Sequence, residues 1–253
     1  MSAATPHRPS GTPAASAADS GRAAPAAGTR ARPGSPERLE RLKSWPRRPG
    51  QASFFFYDAH FRSEAVKVLP GEFFVFDEDI AIMTTLGSCI AACLWDRERR
   101  VGGMNHFMLP EGDSAADGGR YGSYAMELLI NEMLRHGASR ATMEAKVFGG
   151  GAVLSGMSKL NVGERNTAFV LDYLRAERIP VVSKDVMDIY PRKVCFLPAS
   201  GKALVKRLAS GNTEMLLAQE TAATRAAAPM PQGAGAIELF SGTPSAPKKG
   251  IES

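Results

Sequence analysis

No run of this chain approaches the ~18 consecutive apolar residues that a bilayer-spanning helix needs. Its first residues also lack the apolar stretch of a secretory signal. The expected location is the cytoplasm, with no direct membrane insertion. Cysteine is scarce, three in 253 residues and irregularly spaced, which argues against a disulfide framework and leaves each thiol reduced in that compartment. Large aliphatic residues are almost missing from positions 1–50 and thin out again from about Ser210, where Ala, Pro, Gly, Ser and Thr dominate. Such stretches cannot bury enough apolar surface to offset chain entropy. The expected organisation is a disordered basic arm at 1–50, a folded domain at 51–209 and a disordered tail at 210–253.

Charge of one sign is missing from the folded part. Residues 1–50 carry nine Lys/Arg against three Asp/Glu, residues 51–212 carry nineteen of each, and residues 213–253 carry three against four. The basicity of the chain therefore belongs to its arm. That arm has no dense Lys/Arg block of the kind that binds nucleic acid, so no nucleic-acid partner is expected.

What is present alternates between strand and helix signals. Within the arm, Ser35-Pro36-Glu37-Arg38 supplies an N-cap, a first-turn proline and an early acid, which predicts a short helix through Lys43. Ordered structure is expected from Phe54, with strands at 72–76 and 80–83. A hairpin spans 84–110, followed by a Gly-rich loop at 112–122. Helices are predicted from Ser123 to about His136 and from Asn161 to about Arg178, each with a buried stripe. Strands at 141–148 and 180–183, and a last hairpin around Pro198-Ala199-Ser200-Gly201, complete the pattern. The fold class is mixed α/β or α+β, largely antiparallel, with helices flanking the sheet.

The 84–110 hairpin carries the chemistry. Two apolar runs flank Asp96-Arg97-Glu98-Arg99. With Arg97 and Glu98 as a two-residue loop, Cys89 stands directly opposite His106, where Cβ atoms lie roughly 4.5–5.5 Å apart. A thiol beside an imidazole is a nucleophile with its base. Gly87-Ser88 before the cysteine permits a tight turn that presents the Cys89 backbone N–H as an oxyanion donor. Gly102-Gly103 on the partner strand would leave a groove for a substrate backbone. The reaction this suggests is acyl transfer, with Cys89 attacking a carbonyl and His106 serving as acid and then base.

Plainer readings stand beside this one. A buried cysteine often acts as a small hydrophobe, and Cys93, Cys195 and His136 are read that way, as structural residues. Cys89, Cys93 and His106 as metal ligands fit poorly, because i, i+4 on a strand separates side chains by ~13 Å. No metal or cofactor is expected. Gly149-Gly150-Gly151 is followed by no Lys-Ser/Thr pair and matches no P-loop, so it is read as a loop on the rim of the site.

Several motifs in unbroken order resemble the CheD family of bacterial chemoreceptor glutamine deamidases. They are Leu86-Gly87-Ser88-Cys89, Val101-Gly102-Gly103-x-x-His106-x-Met108-Leu109-Pro110, Lys146-Val147-Phe148-Gly149-Gly150, Val162-Gly163-Glu164-Arg165-Asn166 and Gly201-Lys202-x-x-Val205-Lys206. The resemblance implies an amidohydrolase that converts glutamines of methyl-accepting chemotaxis receptors to glutamate with release of ammonia. It implies a β-sandwich similar to the catalytic domain of cytotoxic necrotizing factors, with Cys89 as nucleophile and His106 as its histidine. Its third catalytic member is an upstream threonine. Thr84 is taken for that role with Thr85 as the alternative, while Met83 stands in the slot of the longer family spacing. The implied partners are the cytoplasmic domains of chemoreceptors and, for some members, a CheC-like phosphatase. Two other classes remain open: a non-enzymatic chemotaxis adaptor with an idle cysteine, and a peptidase or transglutaminase-like enzyme, which the lack of a papain-like His and Asn arrangement disfavours.

Overall fold

The short β-branched and aromatic runs become strands of two packed sheets. The computed structural model describes residues 35–109, 115–152 and 161–209, together with residues 218 and 222. In chain order the elements are α1 (Pro36–Ser44), β1 (Phe54–Asp58), β2 (Ser63–Lys67), β3 (Phe73–Phe76), β4 (Ala81–Leu86), β5 (Ile90–Asp96), β6 (Val101–Asn105), α2 (Ala115–Arg135), β7 (Met143–Gly149), α3 (Asn161–Ala176), β8 (Val181–Val186), β9 (Arg192–Leu197) and β10 (Lys202–Arg207). One sheet has the order β1-β2-β4-β9-β10 and the other β3-β6-β5-β7-β8. Only β2/β4 and β7/β8 pair in parallel, so the expected α+β class with mainly antiparallel pairing holds. Among the described residues no helix is long and apolar enough to cross a membrane.

Alternation along each strand decides what it touches. On β4, Ile82 and Leu86 point between the sheets, where they meet Ala91, Cys93, Met104, Phe148, Val194 and Phe196. Ala81 and Met83 of the same strand lie on the outer face with Cys195. The second sheet is buried on both sides. Its other face, with Val75, Ile90, Ala92, Leu94 and Val147, is covered by Met126, Leu129 and Ile130 of α2 and Val170 and Leu174 of α3. The layers are therefore sheet, sheet, helices.

Three expectations change. Helix α2 begins at Ala115 rather than Ser123, so part of the presumed Gly-rich loop is helical. Low glycine propensity is outweighed by close helix packing, since a Cβ on Gly122 would stand 2.4 Å from Phe169 Cε1 of α3. The hairpin loop has four residues, because β5 and β6 pair Asp96 with Val101 and Cys93 with Met104. Asp96 imposes this length. Its Oδ1 accepts from Glu98 N (2.9 Å) and Arg99 N (3.0 Å), its carbonyl accepts from Arg100 N (2.8 Å), and Arg100 takes φ 55°. Cys89 and His106 become diagonal rather than opposed, but a shift of two positions keeps both on one face. Gly102 and Gly103 leave no groove either. A Cβ at Gly102 would lie 2.8 Å from Phe196, and one at Gly103 would lie 2.5 Å from Val75 Cγ2.

The arm assigned to 1–50 is also not wholly unstructured, because its predicted helix is α1. Ser35 Oγ caps it by accepting from Arg38 N (3.2 Å). Arg38 and Leu42 are buried at 1% exposure each. The Arg38 guanidinium donates to Glu64 (2.5 Å), Glu78 (3.2 Å) and the Asp79 carbonyl (2.7 Å). Residues 1–34 and nearly all of the tail assigned to 210–253 lie outside the described residues. Removing one member of a buried ion pair strands the other without solvent. Arg38→Ala should therefore lower the unfolding free energy by about 3–5 kcal/mol, measured by urea denaturation against wild type.

Candidate active site

Cys89 sits where the chain changes sheets. Strand β4 belongs to one sheet and β5 to the other, and Gly87-Ser88-Cys89 is the whole connection. Its three successive carbonyls are all engaged. Gly87 O accepts from Gly151 N (2.8 Å) and Cys89 O from Gly150 N (2.8 Å), while Ser88 O accepts from Asn166 Nδ2 (2.8 Å). The glycine run at 149–151 acts as a mould for this turn. Gly149 has φ 110°, and a Cβ there would stand 2.1 Å from Cys89 O. Gly150 has φ 65°, with a Cβ position 2.2 Å from Thr167 Oγ1. The run thus packs against the Cys89 turn, with Gly149 ending β7.

His106 follows β6 and is held from both sides. Phe107 exchanges two backbone bonds with Ile90, each 2.9 Å, and His106 N donates to Glu72 O (3.0 Å) while His106 O accepts from Gly71 N (2.7 Å). Asn105 side-chain Oδ1 accepts from Ala92 N (3.0 Å) and its Nδ2 donates to Ala125 O (3.2 Å). That side chain bridges the ladder between the Cys93/Met104 pair and the Ile90/Phe107 bridge.

Thr84 meets the imidazole from the facing sheet. Thr84 Oγ1 lies 2.8 Å from His106 Nδ1 and donates to Val68 O at 2.8 Å. A carbonyl can only accept, so the single hydroxyl proton goes to Val68 and the Thr84 oxygen accepts from Nδ1–H. The neutral imidazole then carries its proton on Nδ1 and its lone pair on Nε2. Thr84, His106 and Cys89 are buried at 2%, 2% and 0% exposure. Alternation puts Thr85 on the opposite strand face, and Met83 packs in the outer cluster, so neither reaches the imidazole. The other two thiols are placed as sequence reading expected. Burial pushes the Cys93 thiol far up, and burial followed by the charge of Asp58 pushes Cys195 up to about 12.

Four contributors were not singled out as site residues from sequence. Val68 supplies only a carbonyl, which has no side-chain signature. Asn105 left a trace as an amide in an apolar strand. Asn166 also accepts from Leu109 N through Oδ1 (3.0 Å), so one amide ties the Cys89 turn to the strand end beyond His106. Tyr121 of α2 has its phenol pushed up by burial and then by nearby Cys89, so it stays neutral at pH 7.

Comparison with known proteins shows the family of the chain. The family described as "CheD chemotactic sensory transduction" matches residues 108–207. A probable chemoreceptor glutamine deamidase CheD 1 of Albidiferax ferrireducens is 60% identical over 207 residues, covering 82% of this chain and 88% of the relative. The chain belongs to the CheD family. Similar proteins of the same description from Methylobacillus flagellatus and Dechloromonas aromatica are each 50% identical. Their alignments cover 75% and 73% of this chain and 96% and 93% of the relatives. The CheD family match at 108–207 contains α3 and Asn166 but begins after His106. The 207-residue alignment, in a chain of 253, necessarily includes Thr84, Cys89 and His106.

Asn166→Ala would remove the hydrogen bonds to Ser88 O and Leu109 N. Loss of the buried Leu109 bond alone costs about 1–3 kcal/mol, so the variant should unfold at clearly lower urea concentration. Asn166→Asp should recover only the Leu109 bond, because a carboxylate cannot donate to Ser88 O.

Proposed function

We propose that this protein is a cytoplasmic glutamine deamidase of chemoreceptors, with Cys89 as nucleophile, His106 as acid and base, and Thr84 as the residue that orients His106. The observation that carries the reading is the chain Val68 O, Thr84 Oγ1, His106 Nδ1, which turns the Nε2 lone pair into the base. His106 Nε2 takes the thiol proton as Cys89 Sγ attacks the glutamine side-chain carbonyl carbon. The oxyanion is met by the Cys89 backbone N–H, held in place by the Gly87-Ser88 turn. Collapse breaks the C–N bond, the imidazolium protonates the departing nitrogen, and ammonia leaves. Water, deprotonated by His106, then attacks the thioester and releases glutamate and the thiol. The catalytic domain runs from α1 through β10. The substrate partner is the receptor's cytoplasmic domain, and the same family resemblance carries a CheC-like phosphatase as a second partner.

An adaptor with an idle cysteine would not need an imidazole oriented through two further hydrogen bonds, which favours the enzyme. Incubation with a receptor cytoplasmic fragment should raise the fragment's mass by the replacement of amide NH2 with OH, read by mass spectrometry. Cys89→Ala and His106→Ala should abolish the change, and survival of activity in Cys89→Ala would rule the thioester out. Thr84→Ala should slow it by ~10²-fold or more, the usual scale of a misplaced base, while Thr85→Ala should be near wild type.

Reactivity of the thiols gives an independent check. Alkylation proceeds through thiolate. A group whose pKa is raised is protonated below that pKa, so Cys195, at about 12, and Cys93 should resist iodoacetamide at pH 8. Peptide mapping of the native protein should find the label on Cys89 first.

A further inference from the structure

The end of the sandwich that carries Cys89 holds a loop the mechanism does not use. Strand β8 ends at Val186, and Met187, Asp188, Ile189 and Tyr190 lead toward β9. Met187 N donates to Gly149 O (2.9 Å), and Asp188 O accepts from Ala152 N (2.7 Å). The loop is thus bonded to the first residue of the glycine run that moulds the Cys89 turn and to Ala152 just beyond it. Arg192, with no exposure, braces its far side by donating to Tyr190 O (3.0 Å) and to Asp185 Oδ1 (3.0 and 2.9 Å).

This braced loop combines strained backbone with exposed apolar side chains. Met187 and Asp188 are consecutive non-glycine residues with φ 66° and 67°. Asp tolerates that region, but Met does not favour it, and such strain concentrates at functional sites. The side chains also point outward, with Met187, Ile189 and Tyr190 exposed at 36%, 58% and 38%. Single exposed apolar residues are ordinary, but three within four positions on a rigid loop beside a buried nucleophile form a patch. Leu69, 39% exposed, adds to the same end, from the loop whose Gly71 N–H holds His106 O.

We infer that Met187, Ile189 and Tyr190 form the docking patch for apolar side chains that flank the target glutamine on the receptor. The inference rests on the deamidase reading and adds where its specificity comes from. A neutral primary amide offers little binding of its own, so selection of one glutamine requires contacts with its neighbours. The patch is continuous with the catalytic turn through the hydrogen bonds to Gly149 and Ala152, and its exposed side chains are apolar apart from Asp188, which faces Arg207 at 3.6 Å.

Steady-state deamidation of a receptor cytoplasmic fragment by the full chain tests this. Ile189→Ser with Tyr190→Ser should raise KM at least about tenfold, as loss of a central contact does, with a smaller change in kcat. Met187→Gly removes both the side chain and the steric cost of its positive φ. It should raise KM without lowering the melting temperature, so a folding defect in the double variant would not obscure the outcome. Phe54→Ser, an equally exposed apolar site (58%) on the outer strand β1 of the other sheet, should leave KM unchanged. Wild-type KM in the loop variants, or an equal rise in Phe54→Ser, would overturn the docking patch while the deamidase reading stands. A wild-type protein that leaves the receptor mass unchanged would overturn both.

Discussion

The hydrogen bond between Thr84 and His106 is the constraint on which the site depends. It crosses between the two sheets and works only because Thr84's own proton is committed to the Val68 carbonyl. Had that carbonyl been elsewhere, the hydroxyl could donate to Nδ1 and put the imidazole proton on Nε2, the wrong tautomer for a base. Val68 lies just after β2, which pairs in parallel with β4. The local order β2-β4-β9 of the first sheet therefore sets the protonation pattern of a histidine carried by the second.

The same dependence on contact between distant segments governs Cys89. Its connection is short and would be free to adopt several turns on its own. Gly149, Gly150 and Gly151 approach so closely that no side chain fits at the first two positions, and Asn166 adds a link from α3 to Ser88 and Leu109. Cys89 and His106 are thus held by backbone and amide groups from β7 and α3 as much as by their own hairpin. The loop after β8 joins this frame through Gly149 and Ala152.

Much of the architecture was legible because periodicity reports burial. The predicted short helix at Ser35, the 161–178 helix and the last hairpin all correspond to observed elements. Strand β2 has no signature in the sequence, since Ser63-Glu64-Ala65-Val66-Lys67 shows no alternation; its Glu64 is buried because Arg38 reaches it from α1. The hairpin register differs from the expected one because Asp96 reads as one more charged loop residue, whereas its carboxylate collects two loop N–H groups and lengthens the turn. Burial raises its pKa, but the hydrogen bonds from Ser139, Arg99, Thr142 and Glu98 outweigh burial and lower it.

By itself, the sequence determined the α+β class, the hairpin that brings Cys89 and His106 onto one face, and the family, because period-two patterning and the glycine motifs are local properties of the chain. Tertiary structure alone decided that Thr84 rather than Thr85 meets the imidazole. The physical reason is that strand alternation sorts the two threonines to opposite faces, and only the packing of one sheet on the other says which face meets His106. It also decided that Gly102 and Gly103 are filled rather than open, and that the glycine run at 149–151 moulds the Cys89 turn. Those outcomes depend on atoms that are far apart in sequence and meet only in the folded sandwich.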